Sequence, residues 1–237
     1  MVLAAKRRGL DAIALTDHDT CAGLPEALEA GERYGVLVIP GVELLLRYGS
    51  RHCHVLALGV GEMPALRDPG VTDVVKWVRD QGGATVDAHP FMFNGAGRRA
   101  GLCDAVEVHN STGQRITDLR AEVMAARLGK SRVAGSDAHS PEMVGLGRTW
   151  VDSEPTVPAM LQAIREGRTR IASRTFIRPA WFFRWVERYC DPAAKTRVKF
   201  TGAVLYTGLL GQNALALTTD FASCVCSGQR WPWRLPE

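Results

Sequence analysis

The sequence predicts an α/β fold, a layer of parallel strands joined by right-handed crossover helices, either open or closed into a barrel. Three observations predict it. As far as about Val151, short runs of β-branched and aliphatic residues alternate with longer amphipathic runs, the pattern of strands that feed helices. The longer runs carry helix punctuation, such as Pro25 at the start and Gly35 at the end of LPEALEAGERYG, where a fixed φ and a left-handed cap are favoured. Histidines and acids recur at the ends of the short runs, as in IALTDHDT, ATVDAHP and SRVAGSDAHS.

Taken in order, VLAAKRRG is a helix closing on Gly9, and AIALT is a strand. LPEALEAGERYG places Leu24, Ala27 and Leu28 on one side of a helix, and VLVIP is the next strand. HVLALGV is a strand, VTDVVKWVRDQGG a helix with Val71, Val74, Val75 and Val78 at helical spacing, and ATVDAHP a strand. DAVEVHN (strand), RITDLRAEVMAARLG (helix), SRVAGSDAHS (strand), GRTWV (strand) and TVPAMLQAIREG (a helix closed by Gly167) complete the series. A domain boundary falls near residue 175. Beyond it RPAWFFRWVERYC reads as an aromatic amphipathic helix, but the rest of 176–237 shows no sustained period and is an extension of unassigned fold.

The formal charge of +4, from 29 basic and 25 acidic residues, gives no argument for nucleic acid. Residues 1–150 are nearly neutral, with 17 Lys and Arg against 18 Asp and Glu, and the basic excess lies in the tail. The six cysteines lack paired-knuckle spacing, so free thiols in a cytoplasmic protein are expected. Residues 200–219 carry no charge until Asp220, but Gln212, Asn213, three glycines and four threonines dilute them, which argues against a membrane span.

All six histidines, His18, His52, His54, His89, His109 and His139, lie at or beside a predicted strand edge. In parallel α/β architectures the loops at the carboxyl ends of neighbouring strands converge on one face. One such histidine is ordinarily a hydrogen-bonded side chain. A set of them with Asp and Glu points to bound divalent cations, for which imidazole and carboxylate are the usual companions. Glu43, just past VLVIP, is placed to bridge two ions, and Asp137 and His139 are placed to serve different ions of one cluster.

The segments GLDAIALTDHDT, GLPEA, IPGVE, HVLALG, AHP, EVHN and GSDAH occur in this order. Together they resemble the polymerase and histidinol phosphatase (PHP) superfamily of metal-dependent phosphoesterases, over about residues 1–170. The resemblance implies a distorted (β/α)7 barrel with up to three divalent ions, Mn, Zn or Fe, at the carboxyl ends of its strands. It implies a metal shell of His18, Glu43, His54, His89, Asp137 and His139. Glu43 would bridge, His54 and His89 would complete the second ion, and His18 and His139 would share the third. His52 and His109 are less secure, and Glu107, His109 and Asn110 are expected to stand behind the ligands.

Family members open with a strand bearing His-x-His and then an Asp, whereas this sequence starts inside the helix that follows. The expectation is therefore an N-terminally truncated barrel lacking its first strand, with a poorly held first ion. The implied reaction is hydrolysis of a phosphate ester by a metal-bound hydroxide, with Glu43 and Asp137 at its centre. Arg98 is the leading candidate to grip phosphoryl oxygens, with Arg99 and Arg148 beside it. The expected substrate is a small phosphorylated metabolite or a nucleotide, with short RNA ends as another option, and neither a membrane nor an obligate protein partner is called for. A metal-binding module without turnover is the alternative, and an amidohydrolase-type enzyme a weaker third reading, because Glu43 stands where such enzymes favour a lysine.

Overall fold

In the computed structural model, residues 1–48, 51–92, 95–97 and 101–176 are described. They form a compact unit over Met1–Phe176. The elements run α1 (Val2–Arg7), β1 (Ala12–Leu15), α2 (Leu24–Tyr34), β2 (Leu37–Tyr48), β3 (Arg51–Leu58), α3 (Val71–Asp80) and β4 (Ala84–Asp87). They continue with β5 (Ala105–Asn110), α4 (Arg115–Leu128), β6 (Ser131–Gly135), β7 (Gly147–Val151), α5 (Val157–Arg165) and β8 (Thr169–Arg174). The aromatic helix predicted in RPAWFFRWVERYC and the apolar stretch 200–219 lie outside the described residues. No described helix is long and apolar enough to cross a membrane.

Strands β1 to β6 pair in sequence order in one six-stranded sheet, a curled half-barrel with β1 at one edge and β6 at the other. The predicted parallel ladder holds for β1 with β2, β4 with β5 and β5 with β6. It fails at β3, which runs antiparallel to both neighbours. The reason is chain length: only two residues separate Tyr48 from Arg51, and a parallel crossover needs a dozen or more. β2 is also longer than expected, running 12 residues from Leu37 through Pro40 and Glu43 to Tyr48.

Strand β8 was not among the expected elements, although Thr169, Ile171 and Ser173 alternate with more exposed neighbours, the period-two signal of a half-buried strand. It pairs antiparallel with β7. Side chains join this ribbon to β6: the Thr149 hydroxyl donates to Ala134 O at 3.0 Å and accepts from Ala134 N at 2.8 Å, and the Thr169 hydroxyl donates to Arg132 O at 2.8 Å.

Helices cover the sheet by burying the stripes their sequences present. In α3, Val71, Val74, Val75 and Val78 pack on Val42, Leu44, Leu46, Cys53, Val55 and Ala57, each valine contributing about 1.5–3 kcal/mol of apolar burial. Leu161 and Ile164 of α5 close on Ile39, Leu58, Ala84, Val86 and Ala105. Val2 and Ala5 of α1 and Ala27 of α2 pack on Val38, and Ala121, Met124 and Ala125 of α4 on Val106 and Val108. Glycines end α2 and α4 in the left-handed conformation, Gly35 at φ 62° and Gly129 at φ 60°. Cys21, Cys53 and Cys103 are free thiols. These layers leave polar residues at the carboxyl ends of β1, β4, β5 and β6 beside Glu43 within β2 and His54 within β3, and there the candidate site forms.

Candidate metal centre

His18 and Glu43 meet because the ladder between β1 and β2 continues beyond the end of β1. They form a parallel bridge, with Glu43 N donating to Asp17 O at 3.1 Å and Asp19 N to Glu43 O at 2.9 Å. Asp19 turns the chain there at φ 48°, and its Oδ1 accepts from Leu45 N at 3.1 Å. The run IALTDHDT therefore stops on polar residues because its strand ends over the mouth of the half-barrel.

Glu43 is the hub. Its Oε1 lies 2.6 Å from His54 Nδ1 and 3.4 Å from His89 Nε2, while Oε2 lies 3.8 Å from His18 Nε2. The two oxygens thus face different imidazoles. His54 Nδ1 and His89 Nε2 are 3.2 Å apart. The ring centroids follow one another around the hub, with His89 and His54 5.0 Å apart, His54 and His18 4.8 Å, and His18 and His139 6.3 Å.

Burial is graded along this arc. The Glu43, His54 and His89 side chains are 9–10% exposed, whereas His139 is 35% and His18 48% exposed. Asp137, on the loop after β6, has Oδ1 3.6 Å from His139 Nδ1. Its Oδ2 is taken by the Thr112 hydroxyl at 2.8 Å and by Asn110 Nδ2 at 3.4 Å. His89 and Asp137 both adopt positive φ, 30° and 45°, a strain that clusters at functional sites and costs about 1–3 kcal/mol per residue.

Behind the arc stands Glu107, a buried acid whose Oε2 accepts from His89 N at 2.7 Å and from Asn110 Nδ2 at 3.0 Å. His109 is fully buried and turned elsewhere, its Nδ1 2.6 Å from Asp118 Oδ2 and its ring edge-on to Phe176. His52 is exposed to solvent. Arg148 is likewise exposed on β7, and Arg98 and Arg99 lie outside the described residues.

The electrostatics favour positive charge at the hub. Burial works to raise the Glu43 carboxyl, but hydrogen bonds from His54 and His89 and the charges of His18 and His54 carry it down to about 2. Burial opposes the His89 imidazolium, yet Glu43, Glu107 and Asp137 push it up to about 9. Burial raises Glu107 to about 7, against the lowering influence of His89 and Asn110.

The residues fit divalent cations. His18, Glu43 and His54 offer ligand atoms within 4.8 Å of one another, and the donors are the nitrogen and oxygen types such ions take. Two imidazole nitrogens aimed at one carboxylate oxygen form a donor set in which a shared cation would take the place of their protons. The His89 ring turns Nε2 to the hub, and its Nδ1 has no hydrogen-bond partner among the described residues.

Of the residues singled out in the sequence, His18, Glu43, His54 and His89 come together, with Asp137 and His139 at the open end. Thr112 and Asp118 were missed. The signal for Thr112 was the turn chemistry of Asn110-Ser111-Thr112, where Asn110 Oδ1 accepts from Thr112 N at 2.8 Å, a common way for Asn to close a turn.

Comparison with known proteins bears on the family and the fold. The PHP domain profile matches residues 1–77, and a PHP-associated profile matches 117–169. A phosphoribosyl 1,2-cyclic phosphate 1,2-diphosphodiesterase of Eggerthella lenta is 48% identical over 65 residues, 26% of this chain and 25% of that protein. A 3',5'-nucleoside bisphosphate phosphatase of Chromobacterium violaceum is 34% identical over 109 residues, 42% of this chain and 36% of that protein. This chain therefore spans about a quarter to a third of these relatives' length. Among solved structures, a two-domain Bacteroides vulgatus protein containing a PHP-like metal-dependent phosphoesterase superposes with a TM-score of 0.59 at 21% identity, over 73% of this chain and 59% of that one. A Chromobacterium violaceum amidohydrolase with bound sulfate superposes with a TM-score of 0.54 at 20% identity, over 72% and 90%; both likenesses concern the fold. With its half-barrel, its arc of histidines around one glutamate and both sequence profiles in agreement, the chain belongs to the PHP family.

Proposed function

We propose that this protein hydrolyses phosphate esters, using divalent cations held by His18, Glu43, His54, His89, Asp137 and His139. The observation that carries the reading is the split of Glu43, whose two oxygens address His54 and His89 on one side and His18 on the other. A carboxylate so placed would serve two ions when they are bound.

Divalent cations in such a nest supply Lewis acidity and bring the pKa of water toward neutrality. The protein's own residues set the rest. Glu43, His54 and His89 form the buried holding end, while His18 and His139 form an exposed end through which a phosphoryl group enters. Asp137 offers Oδ1 to the site because Oδ2 is engaged by Thr112 and Asn110. Arg98 and Arg99, which follow His89 in the sequence, are proposed to grip the non-bridging phosphoryl oxygens, for which a guanidinium is suited.

Small phosphorylated metabolites or nucleotides are the proposed substrates. Support comes from the near-neutral charge of residues 1–150 and from relatives named as a diphosphodiesterase and a bisphosphate phosphatase. Mn, Zn and Fe all suit the donor set. Residues 176–237 are proposed to be an appendage outside the hydrolytic unit.

The test is hydrolysis of p-nitrophenyl phosphate and nucleoside bisphosphates by the full chain with Mn²⁺, beside His89→Ala and Asp137→Ala. The wild type is expected to turn over and both variants to lose at least roughly 100-fold, more than substitutions behind metal ligands usually cost. Equal rates from all three remove the assignment. Metal binding without turnover in the wild type supports a binding module instead.

A further inference from the structure

We infer that Glu107, Asn110 and Thr112 are positioning residues that together fix His89 and Asp137, and that Thr112 decides which oxygen of Asp137 reaches the metal. The inference rests on the proposed metal site and concerns three residues that touch no ligand position themselves.

The arrangement depends on an irregularity in β5. Glu107 and Asn110 are three apart, so in a regular strand they would point to opposite faces. The register of β5 against β6 shifts between Glu107 and His109, and the irregularity brings Asn110 Nδ2 to 3.0 Å from Glu107 Oε2. Bulges beside active sites commonly re-aim side chains in this way. His109, which alternation would place with Glu107, pairs instead with Asp118 of α4.

From that point the hydrogen bonds lead in two directions. Glu107 Oε2 accepts from His89 N at 2.7 Å, holding the backbone of a residue at φ 30°. Asn110 donates to Asp137 Oδ2 at 3.4 Å, and the Thr112 hydroxyl lies 2.8 Å from the same oxygen, holding a residue at φ 45°. The amide orientation of Asn110 is fixed, because its Oδ1 accepts from Thr112 N at 2.8 Å and its nitrogen must therefore face the two carboxylates. The Thr112 hydroxyl also lies 2.7 Å from Asn110 Oδ1. It has one hydrogen, and a carboxylate oxygen competes for it better than an amide oxygen, so the bond to Asp137 Oδ2 is the one it makes. Gly135 completes the device: a Cβ there would stand 2.2 Å from Glu107 Oε1, so the carboxylate holds its present position against a residue without a side chain. Left-handed backbone at two non-glycine residues persists only where surroundings over-determine it, and this relay is what does so.

The test uses Thr112→Val, which keeps the shape and removes the hydroxyl, with Thr112→Ser as the conservative rescue. Co²⁺ is titrated into the full chain, followed by calorimetry and by its visible absorption bands, and melting is followed in chelator. Thr112→Val is expected to keep the wild-type melt, to bind Co²⁺ about 10–100-fold more weakly, as loss of a partner behind a metal ligand does, and to shift the visible bands. Thr112→Ser is expected to restore both affinity and bands. Wild-type affinity and bands in Thr112→Val overturn the inference, as does a Ser variant that behaves like Val. If Thr112→Val melts early, Thr112→Ala carries the same expectations and the same refutation. Failure of the wild type to bind Co²⁺ removes the metal reading, and the relay's role with it; normal binding by every variant removes the positioning role alone.

Discussion

Gly135→Ala tests the packing beneath the site. Gly135 does not adopt a positive φ, so alanine brings no backbone strain and its whole effect comes from the added methyl. That methyl would stand 2.2 Å from Glu107 Oε1, with Glu107 Cδ the next atom at 3.5 Å. An ordinary carbon to oxygen contact is about 3.3–3.6 Å, so the carboxylate has to retreat by about 1 Å. Its Oε2 is held by His89 N at 2.7 Å and Asn110 Nδ2 at 3.0 Å, and such a displacement breaks at least one of these bonds. Stranding a buried polar partner costs about 1–3 kcal/mol, and residual overpacking about as much again. With the two partly exchanging for one another, the loss is about 2–4 kcal/mol, or a fall in Tm of about 4–16 °C at this chain length. Thermal melting by circular dichroism measures it, and calorimetric Mn²⁺ titration should show weakened binding, because His89 loses its backbone anchor. A Tm within about 1 °C of wild type, less than a single kcal/mol would produce, together with unchanged Mn²⁺ affinity would refute the claim that Glu107 is wedged between Gly135 and His89.

Two further outcomes are expected. Adding Mn²⁺ at about 100 times its Kd to chelator-treated protein should stabilise the fold by about 2.7 kcal/mol per site, read as a raised Tm, and His54→Ala should abolish most of the rise; equal rises would place the ions elsewhere. Burial works to raise the Asp104 carboxyl, but the Thr85 amide and hydroxyl and Arg79 hold it below the usual carboxylate value. A depressed folded pKa gives stability that is present above the unfolded value of about 3.9 and is lost as pH falls through the folded pKa. Asp104→Asn should therefore be less stable at neutral pH yet lose less than wild type on acidification below about pH 4; parallel acid limbs in a circular dichroism titration would contradict this.

Much of the fold was legible because hydrophobic period and helix punctuation are local properties. Val71, Val74, Val75 and Val78 announce α3, and Gly35 and Gly129 announce the ends of α2 and α4. The reversal at β3 was not legible: VLVIP and HVLALGV leave residues 41–53 between them, room for a crossover, and only the extension of β2 to Tyr48 and of β3 back to Arg51 makes the connection short. β8 went unread although its alternation is visible, because its more buried side, Thr169, Ile171 and Ser173, carries a single apolar side chain.

At the candidate site, strand-end histidines and acids were visible as a pattern, and the structure draws His18, His54 and His89 around the Glu43 carboxylate. What stayed hidden was their support. Thr112 lies in a turn, where no period marks it, and Asp118 is an acid on the buried side of α4; their roles follow from the irregularity in β5 that sets Glu107 beside Asn110 and turns His109 toward α4. A displaced register is a property of the sheet, not of any one segment.

Anomalous diffraction from crystals of the full chain grown with Mn²⁺ tests the metal proposal most directly. Peaks on both sides of Glu43, one contacted by His54 and His89 and one by His18, are the expected result. Ordered Glu43, His54 and His89 side chains with no anomalous density within ligand distance of any of them would contradict it.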